Sequence, residues 1–376
     1  MSKTVRRSRS RKGAPGIVEV ARRAGVSPAT VSRHFNYPDK VRPDTRERIS
    51  DAANALGYIR DRMAGTLHNR FSGTIGLVVP TIDNAIFAEL IEAFSNTLQQ
   101  HERNMLLASH NYDLDLEVSI IRSLLERRID GVAIIGHSHH PAALEMLKVR
   151  AIPALALWNY RHDTRLPFIG ADNADAARQV TEHLLDLGHR DIATLFPDTL
   201  TNDRARDRKQ GVLSTLQRHE IVLPAHRQIS CEYNIRTAKE KVTRILKEQS
   251  PTALICGNDV IAQGAIYAAL RAGLDLPRDL SIVGIGDFRG SAEIEPALTT
   301  VRLPARRIGS QAADMLVHAS EQRMVQVQAL NAGIDEPATL PRRDPGTLEV
   351  RADEVVSTNI RVAAQLIVRE STTTPR

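Results

Sequence analysis

Residues 17–36 read IVEVARRAGVSPATVSRHFN. Val20, Ala21 and Ala24 make a short apolar face at helical spacing. Gly25 follows as a residue free to turn left-handed and end the helix. Ser27 is a good N-cap, and Pro28 suits the first position of a second helix. Val31 and Phe35 then repeat an apolar face at i and i+4. The spacing predicts helix, tight turn, helix, the unit that lays its second helix in the major groove of DNA. The outward residues of that second helix are Ala29, Thr30, Ser32, Arg33 and His34. Small hydroxyls bond phosphate, and Arg33 can reach a guanine edge with a bidentate bond. Spacing alone also admits an ordinary helical hairpin with a solvated basic face.

The charge around this stretch favours the nucleic-acid reading. The 376-residue chain carries 50 Lys/Arg and 44 Asp/Glu, a formal net of +6. Residues 1–72 hold 16 basic and 6 acidic side chains, a local net of +10, so the rest carries −4. A basic head on a mildly acidic body points at a polyanion, and neutralised phosphates release counterions. An acidic membrane surface wants an amphipathic helix with aromatic or leucine anchors, which the head lacks. No apolar run approaches the roughly 18 residues that span a bilayer, which excludes a transmembrane protein. The basic start MSKTVRRSRSRK has no apolar stretch after it, so it is not read as a secretory signal. Two cysteines, Cys231 and Cys256, exclude a disulfide scaffold and suit a reducing cytoplasm.

Beyond the head, short apolar runs alternate with amphipathic ones. The runs include 74–79 (TIGLVV), 104–108, 131–136 (GVAIIG), 152–158, 192–196, 252–256 and 280–285. Helical stretches fall at 85–100, 113–128, 173–187, 239–247 and 260–272. This alternation predicts an α/β body of parallel sheets covered on both faces, two stacks rather than one. Residues 305–319 read as a packing helix. Residues 331–358 break the rhythm with Pro, Gly and charge, and 359–368 reads as a last strand.

The ordered set of motifs resembles the lac-repressor (LacI/GalR) family. It comprises residues 17–36, VRPDTRERI (41–49), ALGYI (55–59), TIGLVVP (74–80), HLLDLGH (183–189), GNDVIAQGA (257–265) and PALTT (296–300). The resemblance covers nearly the whole chain. It implies a small all-α helix-turn-helix head plus two doubly wound parallel-sheet subdomains like those of periplasmic sugar-binding proteins. The implied organisation is a basic disordered arm (1–15), a DNA-binding head (16–60), a hinge (61–73) and an effector-binding, dimerising body (74–376). Within the body, 74–170 plus 301–330 would form one subdomain and 171–300 plus 331–376 the other. Contacts to operator DNA are implied for Ser27, Pro28, Ala29, Thr30, Ser32, Arg33 and Asn36. In this family the hinge folds on operator DNA and presses a leucine into the minor groove. Leu67 occupies that wedge position here and Ala64 lies one turn earlier. An apolar wedge costs a few kcal/mol of unstacking and gains bent DNA with more contacts.

The resemblance places a small-molecule effector between the subdomains, at the carboxyl ends of the strands. Matching positions are Asn84, Phe87, His110, His137, His139, Asp172, Asn173, Arg208 and Asn258, with Trp158 and Asp287 beside them. Sugar-binding relatives commonly carry an Asp where Trp158 and Gly286 stand here. Losing two acids while keeping Arg208, whose fork suits a carboxylate, and several histidines makes the cleft less negative and favours an anionic ligand. The stretches IDNAIFAE (82–89) and GIGDF (284–288) also resemble the gluconate-responsive branch. The expectation is a sugar acid of the gluconate or ketogluconate type, with a neutral sugar or another metabolite as the alternative.

Weaker signals are set aside. HSHH (137–140) has metal-like spacing, but no Cys or carboxylate cluster accompanies it. The glycines at 284, 286 and 290 depart from a dinucleotide fingerprint. No nucleophile–base–acid set can be placed, so no enzyme, metal or cofactor is expected, and the two cysteines read as inert. The whole reads as a cytoplasmic, homodimeric repressor of a pseudo-palindromic operator, with a tetramer left open. A binding protein without a regulatory role, or a nicotinamide-linked enzyme, are the other classes.

Overall fold

The structure is a computed structural model that describes residues 15–59, 71–161, 166–248, 251–331 and 359–376. The arm before residue 15, the hinge positions Ala64 and Leu67, and residues 332–358 lie outside the described residues. The chain divides into two compact units, Met1–Ser72 and Gly73–Arg376.

In the first unit, α1 (Ile17–Ala24), α2 (Pro28–Asn36) and α3 (Pro43–Leu56) surround one small core. Val20, Ala21, Ala24, Val31, Ile49, Ala52 and Ala53 are buried there, with Phe35 and Leu56 packed against them. The turn after α1 depends on Gly25, at φ 65°, whose amide returns to the carbonyls of Ala21 and Arg22. Ser27 accepts from the Thr30 amide, and Pro28 opens α2.

The second unit alternates strand and helix. Its first half runs β1 (Thr74–Val79), α4 (Ala85–Gln100), β2 (Asn104–Ser109), α5 (Leu114–Glu126), β3 (Gly131–Ile135), α6 (Pro141–Val149), β4 (Ala154–Asn159) and β5 (Phe168–Ala171). The second half runs α7 (Asn173–Asp186), β6 (Ile192–Phe196), α8 (Asp203–Arg218), β7 (Gln228–Ser230), α9 (Ile235–Glu248), β8 (Ala253–Cys256), α10 (Asp259–Arg271), β9 (Ser281–Gly286) and β10 (Thr299–Arg302). After them come α11 (Ala305–Asn331), β11 (Ile360–Arg361) and β12 (Gln365–Ile367).

These strands form two six-stranded sheets, ordered β11-β5-β4-β3-β1-β2 and β12-β10-β9-β8-β6-β7. The first is parallel throughout; the second is parallel except where β12 runs against β10. Helices cover both faces of each sheet, which is why β1, β3, β6 and β9 are buried almost without a break.

The subdomain boundaries differ from the sequence reading in two places. Residues 301–302 belong to β10 in the second sheet, and the first subdomain resumes only with α11, which packs on α4. Residues 359–368 are not one strand. Ile360–Arg361 joins the first sheet beside β5 and Gln365–Ile367 joins the second beside β10. Strands of two and three residues leave no period-2 pattern to read. The final residues are stitched to the second sheet: the Ser371 hydroxyl donates to the Ile282 carbonyl, and Ser281 donates to the Thr373 carbonyl.

Candidate functional site

Three helix starts converge on one cavity at the carboxyl ends of both sheets. Asn84 caps α4, Asn202 caps α8 and Asn258 caps α10, each accepting a backbone amide of its own helix. A helix start carries partial positive charge; the asparagine caps add no negative charge against it, but Asp203 and Asp259 open α8 and α10, so only the start of α4 has no acid in its first turn. The cavity is also lined by Ile86, Phe87, Tyr112, Trp158, Arg204, Arg208, Tyr233 and Phe288. The space between these side chains, counting what is open to solvent, is about 270 Å³. The Nδ2 donor of Asn258 is buried and has no partner among the described residues. A buried orphan donor is costly unless something accepts from it.

The walls are aromatic. Phe87 meets Trp158 edge-on with ring centroids 5.6 Å apart. Trp158 sits at the end of β4 with φ 82°, a left-handed conformation that costs a non-glycine residue energy and recurs at ligand sites. The neighbouring strand accommodates it through Gly170, where a Cβ would lie 2.6 Å from the Trp158 carbonyl carbon.

The charges come from the first two turns of α8. Arg208 is buried; its Nε donates to Asn173 Oδ1 (2.7 Å) and its Nη1 to the Gly257 carbonyl (2.7 Å). Both partners are neutral, and among the described residues no carboxylate lies within ion-pair distance of it. Burial pushes this guanidinium below the usual arginine range. Arg204, also buried, pairs with Asp203 at 2.7 Å. Burial alone would raise the Asp203 carboxyl, but Arg204 and the His137 amide hold it at about 2. Asp259, on α10, is wholly buried and accepts from Thr300, Ser291 and the Phe288 amide. Burial raises its carboxyl despite these donors.

Of the expected effector residues, Asn84, Phe87, Trp158, Arg208 and Asn258 line the cavity. Asn173 stands one layer behind, bridging Arg208 to Asn159 Oδ1 at 3.0 Å. The others are engaged elsewhere. The His137 ring bonds the Asn159 carbonyl while its amide donates to Asp203. His139 has Nδ1 at 2.9 Å from Glu117 and Nε2 at 3.0 Å from the Gly136 carbonyl. His110 is buried with both ring nitrogens unpartnered among the described residues, and burial lowers its pKa. Asp172 caps α7 and pairs with Arg361. Asp287 is held by Arg302 and Arg369 at 2.6 and 2.7 Å, and its neighbour Phe288 takes the place at the cavity. Tyr112, Asn202, Arg204 and Tyr233 line the cavity without having been read from the sequence. Cys231 and Cys256 are both buried, and burial pushes the Cys231 thiol up to about 11.

In the head, Ser27, Pro28, Ala29 and Arg33 are exposed and Thr30 and Ser32 half-buried. Arg22, Arg23, Arg42 and Arg48 are also exposed around them. His34 departs from its expected outward place. Its Nε2 lies 3.4 Å from the Ser50 hydroxyl on α3, and burial followed by Arg46 lowers its pKa.

Residues 16–61 match the family described as bacterial regulatory proteins, lacI family, and residues 72–334 match periplasmic binding proteins and sugar binding domain of LacI family. The HTH-type transcriptional regulator GntR of Escherichia coli (strain K12) is 30% identical over 327 residues, 86% of this chain and 97% of that protein. The HTH-type transcriptional repressor PurR of Erwinia tasmaniensis is 31% identical over 335 residues, 87% of this chain and 96% of its own length. Among solved structures, the lac repressor dimer bound to operator and the anti-inducer ONPF superposes with TM-score 0.77 at 25% identity, covering 96% of this chain and 100% of that one.

Proposed function

This chain belongs to the LacI family of DNA-binding transcriptional regulators with an effector-binding domain, and from that premise we propose that it is a cytoplasmic repressor released or recruited by a sugar acid of the gluconate or ketogluconate type. The observation that carries the effector class is Arg208. It brings a buried positive charge, with no carboxylate in contact among the described residues, to a cavity rimmed by three helix starts. A buried charge without a counter-ion is expensive, and a ligand carboxylate would supply one. The orphan Asn258 donor and the Arg204 fork add hydrogen bonds of the kind hydroxyls accept.

Homodimerisation fits the exposed apolar side chains. Leu107 on β2, the edge strand of the first sheet, is exposed, as are Ile82 after β1 and Leu116 on α5. Tyr267 and Leu270 stand exposed on α10 of the second subdomain. Two heads on a two-fold dimer would read two half-sites about one helical turn or a multiple apart. Each sheet connects to the other through 171–173, 302–305 and 361–365, so a ligand gripping both alters their angle. The change in operator affinity equals its preference for one angle, about 1.4 kcal/mol per tenfold.

A gel shift of an operator fragment across a panel of sugar acids and neutral sugars tests the reading. A sugar acid should change operator retention at concentrations where a neutral hexose does nothing. Tight binding of a neutral hexose with no response to any sugar acid rejects it. Within the head, Arg33→Ala should relax base preference at one operator position, costing about 1–3 kcal/mol against the preferred sequence. Footprint affinities on single-base operator variants measure this, and an unchanged preference at every position removes Arg33 from base reading.

A further inference from the structure

We propose that Asp203 is a specificity-determining residue: by neutralising Arg204 it limits the cavity to ligands carrying one negative charge and excludes their phosphorylated counterparts, whose phosphate adds about −1.5 to −2 to the carboxylate. The inference rests on the sugar-acid reading of the same cavity and adds what sets its charge.

Arg204 and Arg208 are four residues apart on α8, so they share one helix face, and both line the cavity. Two uncompensated guanidiniums side by side would make a seat for a dianion such as a phosphate ester, which carries about −1.5 to −2 charge at neutral pH. The cavity is not built that way. Asp203 Oδ1 accepts from Arg204 Nη1 at 2.7 Å and from the Arg204 amide at 2.8 Å. Its Oδ2 accepts the His137 amide at 2.7 Å, from the strand end of the other subdomain. Asp203 and Arg204 are 2% and 5% exposed, so water does not screen the pair. Asp203 itself does not line the cavity. It does not touch the ligand and acts only through the charge that Arg204 presents.

Arg208 has no such contact partner among the described residues. Asp259 acts on it only at a distance, its own oxygens accepting from Thr300, Ser291 and the Phe288 amide. Asp207 accepts from Asn159 at 2.7 Å and lies 3.9 Å from Arg161. The balance is one quenched guanidinium and one open one. A monoanion closes that balance. A phosphorylated sugar acid leaves the charge of its phosphate buried and unpaired.

The test is calorimetric titration of the full chain near pH 7 with D-gluconate, 6-phosphogluconate and sorbitol, the last a neutral polyol of the same length. The wild-type chain should prefer gluconate over its phosphate ester by at least about tenfold. Asp203→Asn, which keeps the shape and removes the charge, should move the gluconate-to-phosphogluconate ratio by about tenfold or more toward the ester. The double variant Asp203→Asn with Arg204→Gln restores a neutral pair and should return the wild-type ratio. A ratio cancels any loss of affinity common to both ligands, so a merely structural role for Asp203 would not move it. An Asp203→Asn ratio within twofold of wild type overturns the proposal, as does a wild-type chain that prefers the ester. If Asp203→Asn fails to fold by circular dichroism, Arg204→Gln decides: it leaves the Asp203 charge uncompensated, so the ratio should move about tenfold further toward gluconate, and a ratio within about twofold of wild type overturns the proposal. Binding of sorbitol alone by the wild-type chain removes the sugar-acid reading and this inference with it; gluconate binding with an unmoved Asp203→Asn ratio removes only the inference.

Discussion

Arg208→Gln is expected to lose the sugar-acid response while operator binding survives. Among the described residues the guanidinium's hydrogen-bond partners are the neutral Asn173 Oδ1 and Gly257 carbonyl, and no carboxylate contacts it. Removing one side of a buried, hydrogen-bonded charge pair costs about 2–5 kcal/mol, so effector affinity should fall by about one and a half to three and a half orders of magnitude. Glutamine can satisfy one of the two acceptors but not both. The other is then left buried, at a cost of about 1–3 kcal/mol to the body. A lowered melting temperature of the body should therefore accompany the loss of binding. Arg208→Lys separates the contributions: it keeps the charge, loses the fork, and should bind with intermediate affinity. Calorimetry with the sugar acid and gel shift with operator together give the result. A glutamine variant that binds within threefold of wild type would refute the role given to Arg208.

Much of the architecture was legible because the signals were local and redundant. Gly25, Ser27 and Pro28 each specify the same turn by a different mechanism, and the structure builds it as read. The long buried strands announce themselves as continuous apolar runs. What escaped was local structure whose pattern is weak or inverted. β7 has three residues and β11 two, too few for a periodic signal. The helix α8 starts as a polar stretch, DRARDRKQ, because the buried side of its first two turns carries Asp203, Arg204 and Arg208 beside Ala205, and the larger apolar residues Val212 and Leu216 come only later. That inversion is itself the signal that could have found Arg204: charged residues recurring at i and i+4 beside the arginine already singled out. The histidines misled for the opposite reason. A loop with three histidines invites a ligand, yet His137 and His139 are occupied by Asn159, Glu117 and Gly136. Residue type at a strand end does not reveal which way a ring points. Asp287 and Phe288 show the same limit, because the left-handed backbone at Asp287, φ 54°, decides which of two neighbours reaches the cavity.

Removing residues 1–72 is expected to eliminate operator binding and leave effector affinity within about twofold. The boundary follows the division into two compact units, Met1–Ser72 and Gly73–Arg376. The head keeps its own core, centred on Val20, Val31 and Ile49, and all cavity-lining residues lie in the second unit. The charge separates the same way. The head region carries +10 and the body −4, so the truncated protein would repel the phosphates that the intact one neutralises. Specific sites are typically bound about 10³–10⁷ more tightly than random DNA, and the truncated protein should lose all of that and the non-specific component too. Raising salt on the intact protein gives an independent check. Operator affinity should fall steeply, by about 0.9 log units per phosphate contact for each tenfold increase, while sugar-acid affinity falls only slightly, because Arg208 is shielded from solvent. Gel shift and calorimetry on residues 73–376 measure both halves. If that fragment retards the operator at the concentrations the full chain needs, the helix beginning after Ser27 is not what holds the duplex, and the basic hairpin is only a solvated surface.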